Sequence, residues 1–171
     1  MRLAPALVLA SVLAGTAARA ETAPVPVPAN LPTTQPVPNA HPYPAVDADP
    51  HPALDAAFAE ARRTNRNVLI DLGANWCPDC RILSGVMNMP EVKPWVESRF
   101  VEVPVNVDHF NRNMDVPQKY GVHVTQIPTV LVVTPDGKLL NPDGATTLGN
   151  ARTMTPQADV NLLASWDARH G

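Results

Sequence analysis

The stretch Leu69-Ile-Asp-Leu-Gly-Ala-Asn-Trp-Cys-Pro-Asp-Cys-Arg81 decides the fold and contains both cysteines of the 171-residue chain. The apolar run Val68 to Leu72 predicts a buried strand, which a short turn follows. Pro78 suits the first position of a helix, so Cys77 and Cys80 fall at a helix start. At this spacing the two sulfurs can form a disulfide. The first sulfur can also be held as a thiolate near free backbone N–H groups.

Residues 1–20 predict a secretory signal peptide. Arg2 precedes an apolar stretch from Leu3 to Ala14, and Ala18-Arg19-Ala20 is a small-x-small cleavage pattern. The stretch is shorter than the roughly 20 residues of a membrane-spanning helix. We therefore expect cleavage after Ala20, no membrane span in the mature chain, and export, with a bacterial periplasm as the location. Removing two of the 13 basic residues leaves 11 against 16 acidic ones, a charge that does not favour nucleic acid.

Export affects how the cysteine pair is interpreted. Outside the cytosol, a lone pair is usually a structural disulfide. A gap of two residues closes almost no loop, so a bond would remove little entropy from the unfolded chain. The spacing therefore favours redox chemistry, with a structural bridge as the alternative. A zinc site is a second alternative, but closed zinc sites use four ligands. The histidines that could complete such a site are scattered along the chain: His41, His51, His109, His123 and His170. We expect His109 and His123 to be surface residues.

Proline divides the chain. Half of the 20 prolines lie between residues 21 and 52, in a stretch without helical or alternating period. This composition predicts an extended linker over residues 21–51, either a partner-binding arm or a plain tether. The folded domain is expected over residues 52–171.

Helical and strand patterns alternate after Pro52. One apolar helical face is formed by Leu54, Ala57, Phe58 and Ala61. Residues 100–107 alternate as a strand, and residues 129–134 form another fully apolar strand. Pro104 cannot donate to a ladder, which predicts an edge strand. A turn at 135–137 predicts a hairpin with residues 138–140, and Thr155 caps a final helix. The order predicts an α/β fold, a mixed sheet with helices on both faces.

With these elements in place, the chain from 52 to 168 resembles the thioredoxin superfamily. Trp76-Cys77-Pro78-Asp79-Cys80 matches the family's Trp-Cys-x-x-Cys, and Ile127-Pro128-Thr129 matches its Ile-Pro-Thr. Asp71 matches the buried aspartate beneath the active site, and Tyr120-Gly121-Val122 and Gly149 also fall at family-like places. The resemblance implies a thioredoxin fold with a central mixed sheet of four to five strands, and thiol–disulfide exchange.

The resemblance implies a role for each site residue. Cys77 is expected to be the exposed attacking sulfur, and Cys80 the more buried one that resolves the mixed disulfide. Asp71, on a buried strand, is expected to have a raised pKa and to accept the Cys80 proton, unless it is only a satisfied strand-end residue. The family lysine that faces this aspartate aligns with Pro104, so Asp71 lacks that partner.

Further residues are expected at a substrate groove. The resemblance implies a cis bond before Pro128, which would block metal capture by the cysteines and leave the Ile127 backbone free to pair with an extended substrate. Trp76 is expected at the rim, or else in the core. Pro78 pre-sets the helical backbone. Asp79 is either an ordinary acid at a helix start or a charge that opposes the Cys77 thiolate and makes the pair more reducing.

The sequence therefore predicts an exported thiol–disulfide oxidoreductase, a reductase of protein disulfides. We expect a monomer without a cofactor that exchanges electrons with protein substrates and a redox partner protein. The alternative from another class is a binding module that has the same fold and uses the groove without redox turnover.

Overall fold

The computed structural model describes residues 25–169, so the predicted signal peptide lies outside the described residues. Five α-helices, three strands and one 3₁₀ helix are found within that range. In chain order they are α1 (His51–Thr64), β1 (Asn67–Gly73), α2 (Pro78–Met87), α3 (Lys93–Arg99), β2 (Phe100–Asn106), α4 (Asp115–Gln118), β3 (Thr129–Val133), the 3₁₀ helix (Thr147–Thr153) and α5 (Pro156–Asp167).

The three strands form one mixed sheet with β1 at its centre. Their order is β2-β1-β3, with β2 parallel and β3 antiparallel to β1. The predicted parallel pairing and the edge position of the strand with Pro104 are both confirmed. In the β1–β2 register, Asp71 lies opposite Pro104.

The predicted four to five strands are wrong in number. After the turn at Gly137 a single bridge joins Val133 to Leu139, and no fourth strand forms within residues 25–169. The side chain of Asn141 explains the break, because its Oδ1 accepts from the Val132 N–H at 2.9 Å and its Nδ2 donates to the Val130 carbonyl at 2.8 Å. A side-chain amide thus takes the hydrogen bonds that a continuing strand would have formed.

Helices cover both faces of the sheet, as predicted. Side chains alternate along β1, so Leu69 packs towards α2, α3 and α5, whereas Val68 and Ile70 pack towards α1. Trp95 and Trp166, both 1% exposed, fill the first of these two cores. No helix among residues 25–169 is both long and apolar enough to cross a membrane.

Residues 25–50, which we call the N-terminal arm, contain no helix or strand and lie against the domain. Leu31 and Tyr43 are buried, and the side chain of Gln157 on α5 donates to the Pro28 carbonyl. The Arg81 side chain on α2 donates to the Asn39 carbonyl at 3.1 Å. The arm therefore passes along α5 and α2, while the predicted domain boundary at residue 52 stays a prediction.

Candidate active site

Cys77 occupies the N-cap of α2. The preceding turn is closed by the Cys77 N–H, which donates to the Ala74 carbonyl at 3.1 Å, and Pro78 begins the helix. The extended backbone of Cys77 directs its Sγ back over the first turn, where it accepts from the Cys80 N–H at 3.2 Å. A helix start carries partial positive charge, so this position favours negative charge on Sγ.

Cys77 and Cys80 are joined by a disulfide, with their Cα atoms 5.3 Å apart. Cys80 is completely buried, and Cys77 is 3% exposed. The prediction of an exposed Cys77 is therefore wrong for this oxidised state, because the sulfur sits beneath neighbouring backbone. The order of the two is as expected, with Cys80 the deeper.

The loop before β3 supplies that covering backbone. The Ile127–Pro128 peptide bond is cis, as the resemblance implied, and both residues are buried. The Ile127 carbonyl oxygen lies 3.5 Å from the Cys77 Sγ. Gln126 is held from both sides, since its carbonyl accepts from the Thr129 hydroxyl and its amide donates to a carbonyl near the 3₁₀ helix. The loop thus holds the cis bond against the disulfide.

Asp71 lies beneath the site on β1 and is 1% exposed. Its Oδ2 accepts from the Tyr43 hydroxyl at 2.7 Å, while its Oδ1 is buried without a hydrogen-bond partner among the described residues. Burial raises the pKa of Asp71 to about 8; the Tyr43 hydrogen bond lowers this pKa and the charge of Glu102 raises it. Burial likewise raises the pKa of Tyr43 well above its usual range, so its hydroxyl keeps its proton.

Comparison with known proteins places this geometry in a family. The family model described as "Thioredoxin-like" matches residues 49–135, half of the chain. The chain belongs to the thioredoxin-like family.

Individual relatives agree with the family match. A thioredoxin of Rickettsia bellii is 33% identical over 79 residues, which cover 46% of this chain and 69% of the relative. A thioredoxin-like protein of Fusarium culmorum is 31% identical over 96 residues, 56% of this chain and 74% of the relative. The solved disulphide isomerase of Xylella fastidiosa superposes with a TM-score of 0.68 at 33% identity, over 73% of this chain and 95% of that one.

The cysteine pair and the family together establish the activity class. The thioredoxin-like chain is a thiol–disulfide oxidoreductase that works by thiol–disulfide exchange. The predicted superfamily, fold and enzyme class are confirmed.

The rear of the site contains a residue that sequence reasoning missed. The β2 position opposite Asp71 is Pro104, as predicted, so no lysine faces the carboxylate from that strand. Tyr43 of the N-terminal arm contacts Asp71 instead. The available signal was modest: Tyr43 is the only aromatic residue between 25 and 50, where proline and small residues predominate.

Trp76 lies outside the core, at the surface beside the cysteines. It is 48% exposed, and its ring stacks on His109 with 4.9 Å between ring centroids and 12° between the planes. Its Nε1 donates to the Asp108 carbonyl at 3.3 Å. Phe110, next in the same loop, is 40% exposed, so an aromatic surface borders the site.

Asp79 lies on the opposite side of α2, towards the 3₁₀ helix. Its carboxylate accepts from the Arg152 N–H at 2.9 Å and lies 3.4 Å from the Arg152 Nε. Asp159 on α5 is fully buried near Asp79, and neither of its carboxylate oxygens has a hydrogen-bond partner among the described residues. Burial raises the pKa of Asp159 to about 7, and the Asp79 charge adds to the rise.

The histidines do not gather around the cysteines. Within residues 25–169, no three histidine, cysteine, aspartate or glutamate side chains are grouped to hold a metal ion. His51 is bound by two carboxylates, Asp49 at 2.7 Å and Asp115 at 2.8 Å. His41 and His123 are exposed, and His170 lies outside the described residues.

Proposed function

We propose that this protein reduces disulfide bonds in other proteins, with Cys77 as the attacking and Cys80 as the resolving sulfur. The observation that carries this assignment is the position of the Cys77 Sγ at the N-cap of α2, where the Cys80 N–H donates to it. The same hydrogen bond would stabilise a Cys77 thiolate in the reduced protein. Cys80 is the deeper of the two sulfurs, since it is completely buried whereas Cys77 is 3% exposed.

The exchange proceeds in two steps. The Cys77 thiolate attacks one sulfur of the substrate disulfide, forms a mixed disulfide, and releases the other substrate sulfur as a thiolate that takes up a proton. Cys80 then loses its proton to the Asp71 carboxylate and attacks the Cys77 Sγ. The Cys77–Cys80 disulfide forms, the second substrate sulfur leaves as a thiolate that takes up a proton, and Asp71 releases the Cys80 proton to solvent. The substrate gains two electrons and two protons. The enzyme loses two electrons and the two protons of its thiols, that of Cys77 before the attack and that of Cys80 through Asp71.

Residues around the disulfide form the substrate groove. The Ile127 N–H makes no hydrogen bond with another described residue, which supports its pairing with an extended substrate chain. The exposed face of Trp76 supports its assignment to the groove rim. Pro128, in the cis bond beside Cys77, and Pro78, at the helix start, are assigned to the same groove, and Asp79 contributes to it through its pair with Arg152.

The reducing direction follows from the charges around the sulfurs. A strongly oxidising pair needs a heavily stabilised thiolate. Here the cation Arg152 is already paired with Asp79, so it adds little to the stabilisation of a Cys77 thiolate. A glutathione redox titration, run beside an insulin-reduction assay, tests the direction. We expect a potential near about −270 mV, whereas one near about −120 mV would identify an oxidase.

Protein partners can be captured at the resolving step. A Cys80→Ala variant cannot complete the second step, so its Cys77 stays bound to the substrate sulfur. We expect mixed disulfides with substrate proteins and with a redox partner that supplies electrons. A Cys77→Ala, Cys80→Ala variant is the matched control and must capture none. Equal capture by both variants would reject the assignment of Cys77. Size-exclusion chromatography is expected to show a monomer.

We further propose export to a bacterial periplasm after removal of residues 1–20. The support is the Arg2 start, the short apolar stretch and the Ala18-Arg19-Ala20 pattern. Expression of the full chain in a bacterium, followed by fractionation and N-terminal sequencing, tests the proposal. A periplasmic protein beginning at Glu21 is expected, and an intact N-terminus in the cytoplasm would refute it.

A further inference from the structure

The N-terminal arm brings a hydroxyl to the rear of the active site. Tyr43 is 4% exposed, and its hydroxyl donates to the Asp71 Oδ2 at 2.7 Å. No other hydrogen-bond donor reaches this carboxylate from the described residues. Pro104, which lies opposite Asp71 on β2, supplies no donor to this buried carboxylate. Among the described residues, the arm therefore provides its one hydrogen bond.

The arm is fastened to the active-site turn at this same residue. The Tyr43 N–H donates to the Asn75 Oδ1 at 2.9 Å, and the Asn75 Nδ2 donates back to the Tyr43 carbonyl at 3.0 Å. The side chain of Asn106, at the end of β2, donates to the Pro44 carbonyl at 2.8 Å. Because Asn75 lies two positions before Cys77, the arm and the cysteine loop are held as one unit.

Gly73 makes room for this arrangement. A Cβ at Gly73 would overlap the Tyr43 hydroxyl and would lie 2.9 Å from the Cys80 Sγ. The same small space therefore borders both the hydroxyl and the resolving sulfur. Any larger residue at position 73 would push them apart.

We propose that Tyr43 is a positioning residue for the exchange reaction: its hydrogen bond holds the Asp71 carboxyl in place and favours its ionised form, which is the form that accepts the Cys80 proton. This inference rests on the proposed role of Asp71 in the second step. In that step the Cys80 proton moves to Asp71, whose Oδ1 has no other partner. The Tyr43 O–H bond does not break, since its hydrogen bond only stabilises the carboxylate.

The electrostatics agree in sign. Burial disfavours the Asp71 carboxylate, and the Tyr43 hydrogen bond lowers the Asp71 pKa against that effect. Without the hydroxyl, this pKa rises further and less of the base is ionised at neutral pH. A hydrogen bond to a charged group is strong enough to change that population by about tenfold.

A two-step thiol assay isolates the step in question. Reduced protein is mixed with an aromatic disulfide that releases a coloured thiol at each step, and both releases are followed by stopped flow across the neutral and alkaline range. In Tyr43→Phe we expect the second release to slow by about tenfold at neutral pH and its midpoint to move to higher pH. The first release, which Cys77 performs, should be unchanged, whereas a general loss of structure would slow both.

The chain offers a matched control. Tyr120 is the second of two tyrosines, and its hydroxyl makes no hydrogen bond with the site, so Tyr120→Phe should leave both releases unchanged. Asp71→Asn tests the underlying function separately. If Asp71→Asn alters the second release and Tyr43→Phe does not, the inference fails and the function stands. If Asp71→Asn has a wild-type profile, the role of Asp71 fails, and that of Tyr43 fails with it.

A second measurement follows the Asp71 carboxyl itself and also reports whether the protein is folded. Carbon NMR of labelled aspartate in the oxidised protein gives the Asp71 pKa directly, and the signal missing from Asp71→Asn assigns it. A midpoint near about 8 is expected in the unaltered protein, and a higher one in Tyr43→Phe, because the hydrogen bond that favours the carboxylate is lost. Equal midpoints in these two proteins would reject the inference.

Discussion

The two sides of the disulfide are built in different ways. The front, residues 73–80, is one continuous stretch in which a strand end, a turn and a helix cap place Cys77. The rear combines Asp71 on β1, Pro104 on β2 and Tyr43 from the N-terminal arm, which are brought together only by the fold. A site can therefore obtain its nucleophile from local rules while its base depends on distant segments.

This division of labour predicts different consequences for damage on each side. Changes at the front should alter the first attack and the redox potential. Changes at the rear should alter the resolving step and the dependence of stability on pH. The geometry of the front depends on its own local sequence, whereas the geometry of the rear also depends on the N-terminal arm.

The largest expected effect is the loss of the attacking sulfur. Cys77→Ser should lower insulin reduction by at least about a thousandfold, because no other group performs the first step. Cys80→Ser should keep the first release of the two-step thiol assay and lose the second. Equal loss of both releases in Cys80→Ser would contradict the separation of front and rear.

The next effect is on stability and concerns the rear. Asp71 has a pKa of about 8 in the folded protein and about 4 in an unfolded chain. Between these pH values the folded state binds more protons than the unfolded chain. The contribution of Asp71 to the free energy of unfolding is therefore largest below about pH 4 and falls as the pH rises towards 8. Asp71→Asn should abolish this fall and be more stable at pH 8, by up to several kcal/mol. Urea unfolding of the oxidised protein measures it.

Asp159 provides a matched comparison for that experiment. It is also a buried carboxyl group, but burial raises its pKa only to about 7. The fall in the free energy of unfolding that Asp159 causes therefore ends near pH 7 and is smaller than the fall that Asp71 causes. Asp159→Asn should therefore flatten the curve less than Asp71→Asn and leave the second release unchanged. If the free energy of unfolding varied with pH in the same way for the wild type and Asp71→Asn, the pKa of Asp71 would be the same in the folded and unfolded states, which would contradict the prediction.

Gly73 gives a smaller effect, at the boundary between front and rear. Gly73→Ala should destabilise the protein by about 1–3 kcal/mol, because its Cβ overlaps Tyr43 and approaches Cys80. It should also slow the second release. As a control, Gly121→Ala meets open space at a φ of +69°, so it carries only a backbone cost of about 1–2 kcal/mol and should not change the exchange. A wild-type rate of the second release in Gly73→Ala would show that the resolving step does not depend on the spacing of Tyr43 and Cys80.

The front could be predicted from sequence because its causes are local. The strand ending at Gly73, proline at the first helical position and the cysteine spacing follow short-range rules, and the cis bond before Pro128 followed from the resemblance. The rear could not. Tyr43 reaches Asp71 across 28 positions from a segment without periodicity, and such a contact is set by packing.

The strand count and the partner of Asp79 have the same origin. Within residues 25–169 the fourth strand is absent because the Asn141 side chain takes hydrogen bonds along β3, which no propensity indicates. Asp79 was expected either as an ordinary acid at a helix start or as a charge that opposes the Cys77 thiolate, and its partner Arg152 lies 73 positions away. In each case a polar side chain found its partner through tertiary structure.

That pair yields the smallest expected effect, on the redox potential at the front. Arg152→Ala leaves the Asp79 charge uncompensated near Cys77, which disfavours the thiolate and makes the pair more reducing. The Arg152 side chain is 59% exposed, so solvent screens the interaction, and a shift of only about 10 mV is expected. Asp79→Asn should shift the potential the opposite way.

Opposite signs are what make this small effect decisive. Both variants break the same contact, so a purely structural consequence would move the potential in the same direction for each. Arg169→Ala, which breaks the exposed pair with Asp143, should leave the potential unchanged. Glutathione titration of the three variants separates these cases, and a shift of equal sign in the first two would remove Asp79 from the electrostatics of Cys77.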